Sequence, residues 1–155
     1  MRRFQFLTAI CLFSTALFAA DNPFLGTWKL NPAKSKGTAG TMEKEATMVF
    51  EADGGKIKRT FTGIDADGEK IHMVGSIPWD GIPHQVDGPN GAPPAMVAVN
   101  RINDRTIAVT VTVNGKVVTA GRSVVSKDGK TMTGSFKGED PKGRKFDNVE
   151  VMDKQ

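Results

Sequence analysis

The turn chemistry of this chain constrains its fold more than any other feature. Asp53-Gly54-Gly55, Asp67-Gly68, Asp80-Gly81, Asn114-Gly115, Asp128-Gly129 and Asp140-Pro141-Lys142-Gly143 each supply a residue that tolerates positive φ. Each therefore suits a tight hairpin or a local bend. From Lys44 onward the runs between them are short and alternating, with turn signals about every eight to twelve residues, as in a sandwich or barrel. No segment has helical apolar spacing. Strands are expected near 24–30, 45–52, 56–63, 69–78, 82–86, 95–102, 105–113, 116–126, 130–138 and 144–153. Consecutive strands on short turns are antiparallel neighbours. The expected fold is therefore all-β: a single antiparallel up-and-down meander of about 8–10 strands, closed into a barrel because closure removes both edges.

Period-two alternation assigns the faces. Ile107, Val109, Val111 and Val113 point one way, and Thr106, Ala108, Thr110 and Thr112 the other; on the run 45–52 the apolar face is Ala46, Met48 and Phe50. Two arginines fall on faces that read as inward. Arg59 shares its face with Ile57 and Phe61, and Arg122 shares one with Val118, Ala120 and Val124. A guanidinium inside a small barrel is costly unless paired, and its planar fork of donors suits a carboxylate. The partner is either an acidic ligand head group or a protein carboxylate or carbonyl, and a one-residue slip at a bulge would instead turn the arginine outward.

The first twenty residues differ from the rest. Arg2 and Arg3 precede an apolar run from Phe4 to Phe18 that ends in Ala19 and Ala20 and meets Asp21 and Asn22, the pattern of a secretory signal peptide. The run is shorter than the roughly 20 apolar residues a membrane anchor needs. The expected organisation is a signal peptide over 1–20, cut after Ala19 or Ala20, and one domain over 21–155. That domain would be secreted or periplasmic, have no membrane anchor, and be a monomer. Cys11, the only cysteine, lies in the signal, so the mature domain would hold no disulfide and no thiolate metal site. The formal charge of +4 falls by two when Arg2 and Arg3 leave. The remaining basic residues are scattered among acidic ones, which gives no basic stripe for nucleic acid.

Two stretches break the alternation. Asn31 to Glu43 is polar, small and aperiodic, and is expected as a mobile connection; Pro83 to Pro94 is rich in Pro and Gly and is expected as a long loop at one mouth. An internal echo relates Phe61 to Ile71 with Phe136 to Phe146 in the frame F-x-G-x-D-x-x-G-x-K-[IF]. It describes one hairpin-and-bulge unit used twice. Asp65, Asp67, Gly68 and Glu69 resemble the start of a calcium loop, but the later ligands are missing, so no metal is expected. His72 and His84 are the only histidines. Neither has a glycine-flanked serine elbow to serve, and no catalytic residue, enzymatic activity or cofactor is expected.

The segment Phe24-Leu25-Gly26-Thr27-Trp28-Lys29-Leu30 resembles the G-x-W opening strand of the calycins, the group holding lipocalins, fatty-acid-binding proteins and avidin-like proteins. The stretches Gly26 to Ser35, Val125 to Met132 and Asp153 to Gln155 are similar to secreted bacterial lipocalin-like proteins without an assigned function. The resemblance implies a lipocalin-like β-barrel outside the cytoplasm, with Trp28 closing one end. It also offers Arg122 as the arginine that packs on the opening Trp in lipocalins, a structural role.

The functional expectation is an exported, non-enzymatic protein that holds a small apolar or amphipathic ligand in the barrel. Its liners would be Met48, Phe50, Phe61, Met73 and Phe136, with Arg59 or Arg122 as anchor. The alternative is an envelope protein-binding or structural domain with a filled core, using the Pro/Gly-rich loop with Trp79 and Ile82 as its contact surface.

Overall fold

The computed structural model describes residues 22–155; the expected signal peptide over 1–20, with Cys11, lies outside the described residues. Ten strands run in chain order: β1 (Gly26–Leu30), β2 (Glu45–Asp53), β3 (Lys56–Ile64), β4 (Lys70–Ile77), β5 (His84–Val86), β6 (Ala95–Asn103), β7 (Thr106–Val113), β8 (Lys116–Val125), β9 (Thr131–Glu139) and β10 (Lys145–Lys154). All ten expected strands form, within a few residues of their expected bounds. Every pairing is antiparallel, in the sheet order β4-β3-β2-β1-β10-β9-β8-β7-β6-β5.

That order makes a nearly closed barrel whose break lies elsewhere than a simple meander predicts. The first and last strands pair with each other, Trp28 opposite Lys154 and Leu30 opposite Met152. The two edges are instead the consecutive strands β4 and β5, between which no ladder forms. Two devices cover this seam. Val86 packs toward Gly75, where even a Cβ would crowd its Cγ1 at 2.8 Å. Asn90, held at a φ of 52° in a 3-10 turn over Pro89–Gly91, offers its carboxamide to the β4 edge. It accepts from the His72 N–H at 3.3 Å and donates to the Lys70 carbonyl. The stretch 83–94 is thus partly strand and partly this plug, rather than a free loop.

Because the strands alternate in direction, the connection 31–44, the turns 65–69 and 140–144 and the loop 87–94 all lie at one end. The other end is a filled floor. Phe24 and Trp28 are fully buried, with Phe50, Ile77, Val99, Ile107, Val125, Met132 and Met152 around them. Phe24, Phe50 and Trp79 meet edge to face at centroid distances of 5.2 to 6.4 Å, the geometry that aromatic quadrupoles favour. Trp28 has the floor role that the G-x-W resemblance implied, and its indole N–H donates to the Phe24 carbonyl at 2.7 Å. The cation over its ring is Lys154, 5.0 Å from the centroid, not Arg122. Trp79 packs within the floor and so does not form an exposed contact surface; Ile82 is exposed.

The connection 31–44 is a strap fastened along β10 rather than a loose segment. Asn31 and Lys34 bond the Asp153 carboxylate at 2.6 and 3.1 Å, and the Ser35 hydroxyl accepts from the Val151 N–H at 2.8 Å. Lys36 and Val149 exchange both backbone bonds. Buried Asn148 accepts from the Thr38 N–H at 3.0 Å. Small polar residues read as disorder when their partners are distant in sequence, and here the partners lie more than 100 residues away.

The internal echo is one structural unit built twice. Asp65 Oδ1 accepts from the N–H groups of Asp67 and Glu69 at 2.9 and 2.8 Å, and Asp140 Oδ1 accepts from those of Lys142 and Arg144 at 2.9 and 2.8 Å. The copies differ at their last turn position, Glu69 in one and Arg144 in the other. Arg144 uses that difference to join the two turns, reaching Asp67 at 2.8 Å while also bonding Asp140. Lys142 adds a contact to Asp67 at 2.9 Å. The Asp67 carboxylate is therefore an ion-pair partner rather than a free metal ligand. Its pKa is lowered to about 2, chiefly by the Arg144 and Lys142 hydrogen bonds.

Candidate functional site

Cross-strand partners share a face, so the register fixes the inner wall. Phe50 of the floor stands opposite Arg59, which stands opposite Gly75. Met48 stands opposite Phe61, and Phe61 opposite Met73. On the other side of the barrel Ser123 faces Gly134, Gly121 faces Phe136, and Phe136 faces Asn148. The Phe136 ring lies over Gly121 and Gly134, where added Cβ atoms would come within 2.6 Å of it. Phe50 and Phe61 are buried, while Met48, Met73 and Phe136 are half-buried on the same inner wall.

Arg59 is inward-facing, as the alternation of Ile57, Arg59 and Phe61 suggested. Its guanidinium lies 5.1 Å from the Phe61 ring centroid. Burial pulls its pKa below the usual arginine value, against the pull of Glu150 and Glu43. It has no hydrogen-bond or ion-pair partner among the described residues. Protein surrounds it, yet it keeps part of its surface accessible to water. No side-chain nitrogen or oxygen fully shut off from water lacks a partner among the described residues, so the Arg59 guanidinium keeps some contact with solvent-accessible space.

Arg122 does not join it. The register of β7 with β8 skips at Val118, between the pairs Val111–Thr119 and Thr112–Val117. This bulge turns Thr119, Gly121 and Ser123 inward, and Arg122 lies exposed on the outer face with Ala120 and Val124. Arg122 is therefore neither an interior anchor nor the cation on Trp28.

One further ionisable group stands on the inner wall that sequence reasoning did not single out. Glu150 stands opposite buried Gly134 on the inner face of β10, and Glu43 ends the strap just before β2. The Glu150 carboxyl is pushed up to about 8 by burial first, then by repulsion from Glu43 and a carboxyl–carboxyl hydrogen bond to it, with Arg59 opposing. Arg59 and Glu150 thus both stand on the inner face, and no ion pair joins them among the described residues. Outside this group, His84 Nε2 lies 3.1 Å from Asp80, an exposed pair near the floor end. His72 is exposed on the outer face.

No protein-family model and no curated protein matches the chain. Solved structures do. A Schistosoma mansoni fatty acid binding protein in complex with arachidonic acid is 15% identical with a TM-score of 0.60, over 86% of this chain and 96% of that one. As-p18, an extracellular fatty acid binding protein, is 12% identical with a TM-score of 0.56, over 86% and 97%. A zebrafish ileal bile acid-binding protein complexed with cholic acid is 8% identical with a TM-score of 0.52, over 86% and 99%. Identities this low establish the fold alone, the up-and-down β-barrel that these fatty acid and bile acid binding proteins share.

Proposed function

We propose that this calycin-type barrel is an exported, non-enzymatic carrier that holds a small amphipathic molecule inside it, with an anionic group on Arg59 and its apolar part along Met48, Met73 and Phe136. The observation that carries this reading is the inward-facing guanidinium of Arg59, which has no hydrogen-bond or ion-pair partner among the described residues. An unpaired buried charge costs several kcal/mol, and an anionic ligand offsets that cost with a bidentate, charge-assisted contact. The half-buried methionines and phenylalanine give the ligand an adaptable apolar wall. The named ligands of the structurally similar proteins, a fatty acid and a bile acid, both combine an acid group with a large apolar body.

Native mass spectrometry of the mature protein from its own host, followed by organic extraction, tests the reading. A co-purifying amphiphile that is lost in Arg59→Leu supports it. A wild-type protein that carries nothing and binds neither long-chain carboxylates nor apolar fluorescent probes defeats it. The amino terminus of protein recovered from the host's envelope or medium, at Ala20 or Asp21, would establish export.

A further inference from the structure

The two copies of the repeated turn carry opposite charge at equivalent positions. In the shared frame Asp67 corresponds to Lys142 and Glu69 to Arg144. The turns are not neighbours along the wall. In the sheet order the β3–β4 turn and the β9–β10 turn centre four strand spacings apart on a ring of ten, roughly 19 Å around the rim. One arginine and one aspartate do not span that distance, so their contact crosses the open end of the barrel. It is a forked contact. Arg144 Nη1 and Nη2 donate to the two Asp67 oxygens at 3.2 and 2.8 Å, and Lys142 Nζ reaches the same carboxylate at 2.9 Å. Each turn is shaped by its own Asp65 or Asp140, so neither needs the bridge to fold. Among the described residues no other ion pair or side-chain hydrogen bond joins them. All three side chains reach water, and their charges are solvated when they part.

We propose that the Asp67–Arg144 pair, braced by Lys142, is a latch across the mouth, and that ligand passes into and out of the barrel when the latch parts. The proposal rests on the carrier reading above and adds the route and its control. A forked arginine–carboxylate pair holds one geometry better than a single-point contact, yet a pair in contact with water is weak enough to break and reform. A gate of this kind scales entry and exit by the same factor, the fraction of time it stands open. Affinity, which is the ratio of the two rates, stays where the interior sets it.

Stopped-flow binding of a long-chain fatty acid carrying an anthroyloxy fluorophore, with displacement by the unlabelled acid, tests this in the wild type, Asp67→Ala, Arg144→Gln and the double variant. Association and dissociation should both quicken about fivefold in Asp67→Ala, with Kd within about twofold of the wild type. Because the two residues act as one latch, the double variant should be no faster than the single ones. Asp67→Asn, which keeps the shape of the side chain, replaces Asp67→Ala should that variant fold poorly. Wild-type rates in the folded variants overturn the proposal and leave the carrier reading intact. So does a weakened Kd with unchanged association, which would make the pair a prop for the fold, and so do effects that multiply in the double variant. A wild-type protein that binds neither this probe nor unlabelled long-chain carboxylates removes the carrier reading, and the latch with it.

Discussion

Asn148 Oδ1 accepts a hydrogen bond from the Thr38 backbone N–H at 3.0 Å, which ties the middle of the strap to an inner-face residue of β10. The same oxygen accepts from the Thr41 hydroxyl at 3.2 Å, and the amide nitrogen donates to the Thr41 carbonyl at 3.4 Å. Gly37 leaves room for this carboxamide, since a Cβ there would overlap Asn148 Oδ1. One buried side chain thus substitutes for a stretch of ladder. Asn148→Ala would leave the Thr38 N–H without its partner. The expected loss is about 2–4 kcal/mol in urea denaturation, accompanied by faster protease cleavage within 36–42. Unchanged cleavage in the variant would mean that the Asn31, Ser35 and Lys36 contacts hold the strap unaided.

Arg59 is expected to limit the stability of the ligand-free protein. Its guanidinium is enclosed without an ion-pair partner among the described residues, and its ring contact to Phe61 is worth about 0.5–2 kcal/mol. Arg59→Met keeps much of the volume and removes the charge. The stripped variant should be more stable than stripped wild type by about 1–3 kcal/mol, read as a higher urea midpoint, while losing affinity for anionic amphiphiles. A destabilised Arg59→Met with normal secondary structure would show that the arginine is paired within the protein.

How far the sequence carried depends on what fixes the phase of each strand. Arg59 was legible because Ile57 and Phe61 bracket it and β3 runs without a bulge opposite β2. Arg122 was misread because Val118 is an extra residue, and nothing in the composition of β8 marks where the skip falls. Glu150 was missed for the opposite reason. Val149 and Val151 flank it and simple alternation turns them inward, yet the strap covers the outer face there through the Lys36–Val149 bridge, so apolar residues serve on the outside. The phase is set by Phe146 and Met152, which have the parity of Glu150. The paired turns were fully legible, since an Asp that bonds two N–H groups ahead of it is a local device.

The raised pKa of Glu150 makes stability pH-dependent with a definite sign. Its folded value, about 8, lies above the carboxyl value of the unfolded chain. Between the two the unfolded state has lost the proton that the folded state keeps, and stability falls as pH rises. The contribution is fully present below about pH 4.5 and is gone above about pH 8. At about 1.4 kcal/mol per unit, burial of this group costs on the order of a few kcal/mol at alkaline pH. Glu150→Gln should therefore have a higher melting temperature than the wild type at pH 8.5, and the gap should shrink toward pH 5. Parallel curves across this range would indicate that the carboxyl titrates normally and is solvated.

The seam between β4 and β5 gives the last expectation. The Asn90 carboxamide bonds the His72 N–H and the Lys70 carbonyl, as a peptide group of a neighbouring strand would. Its backbone stays at a φ of 52°, which glycine adopts at no steric cost. Asn90→Gly therefore removes the side-chain bonds and leaves the turn. Hydrogen exchange at the His72 amide should quicken by about tenfold or more, while global stability changes by less than about 1 kcal/mol. Amides in the β3–β4 ladder, which do not depend on Asn90, should exchange as before. Equal protection at His72 in the variant would show that the β5–β6 loop shields the edge by coverage alone. Loss of protection along all of β4 would make Asn90 the residue that holds the barrel shut.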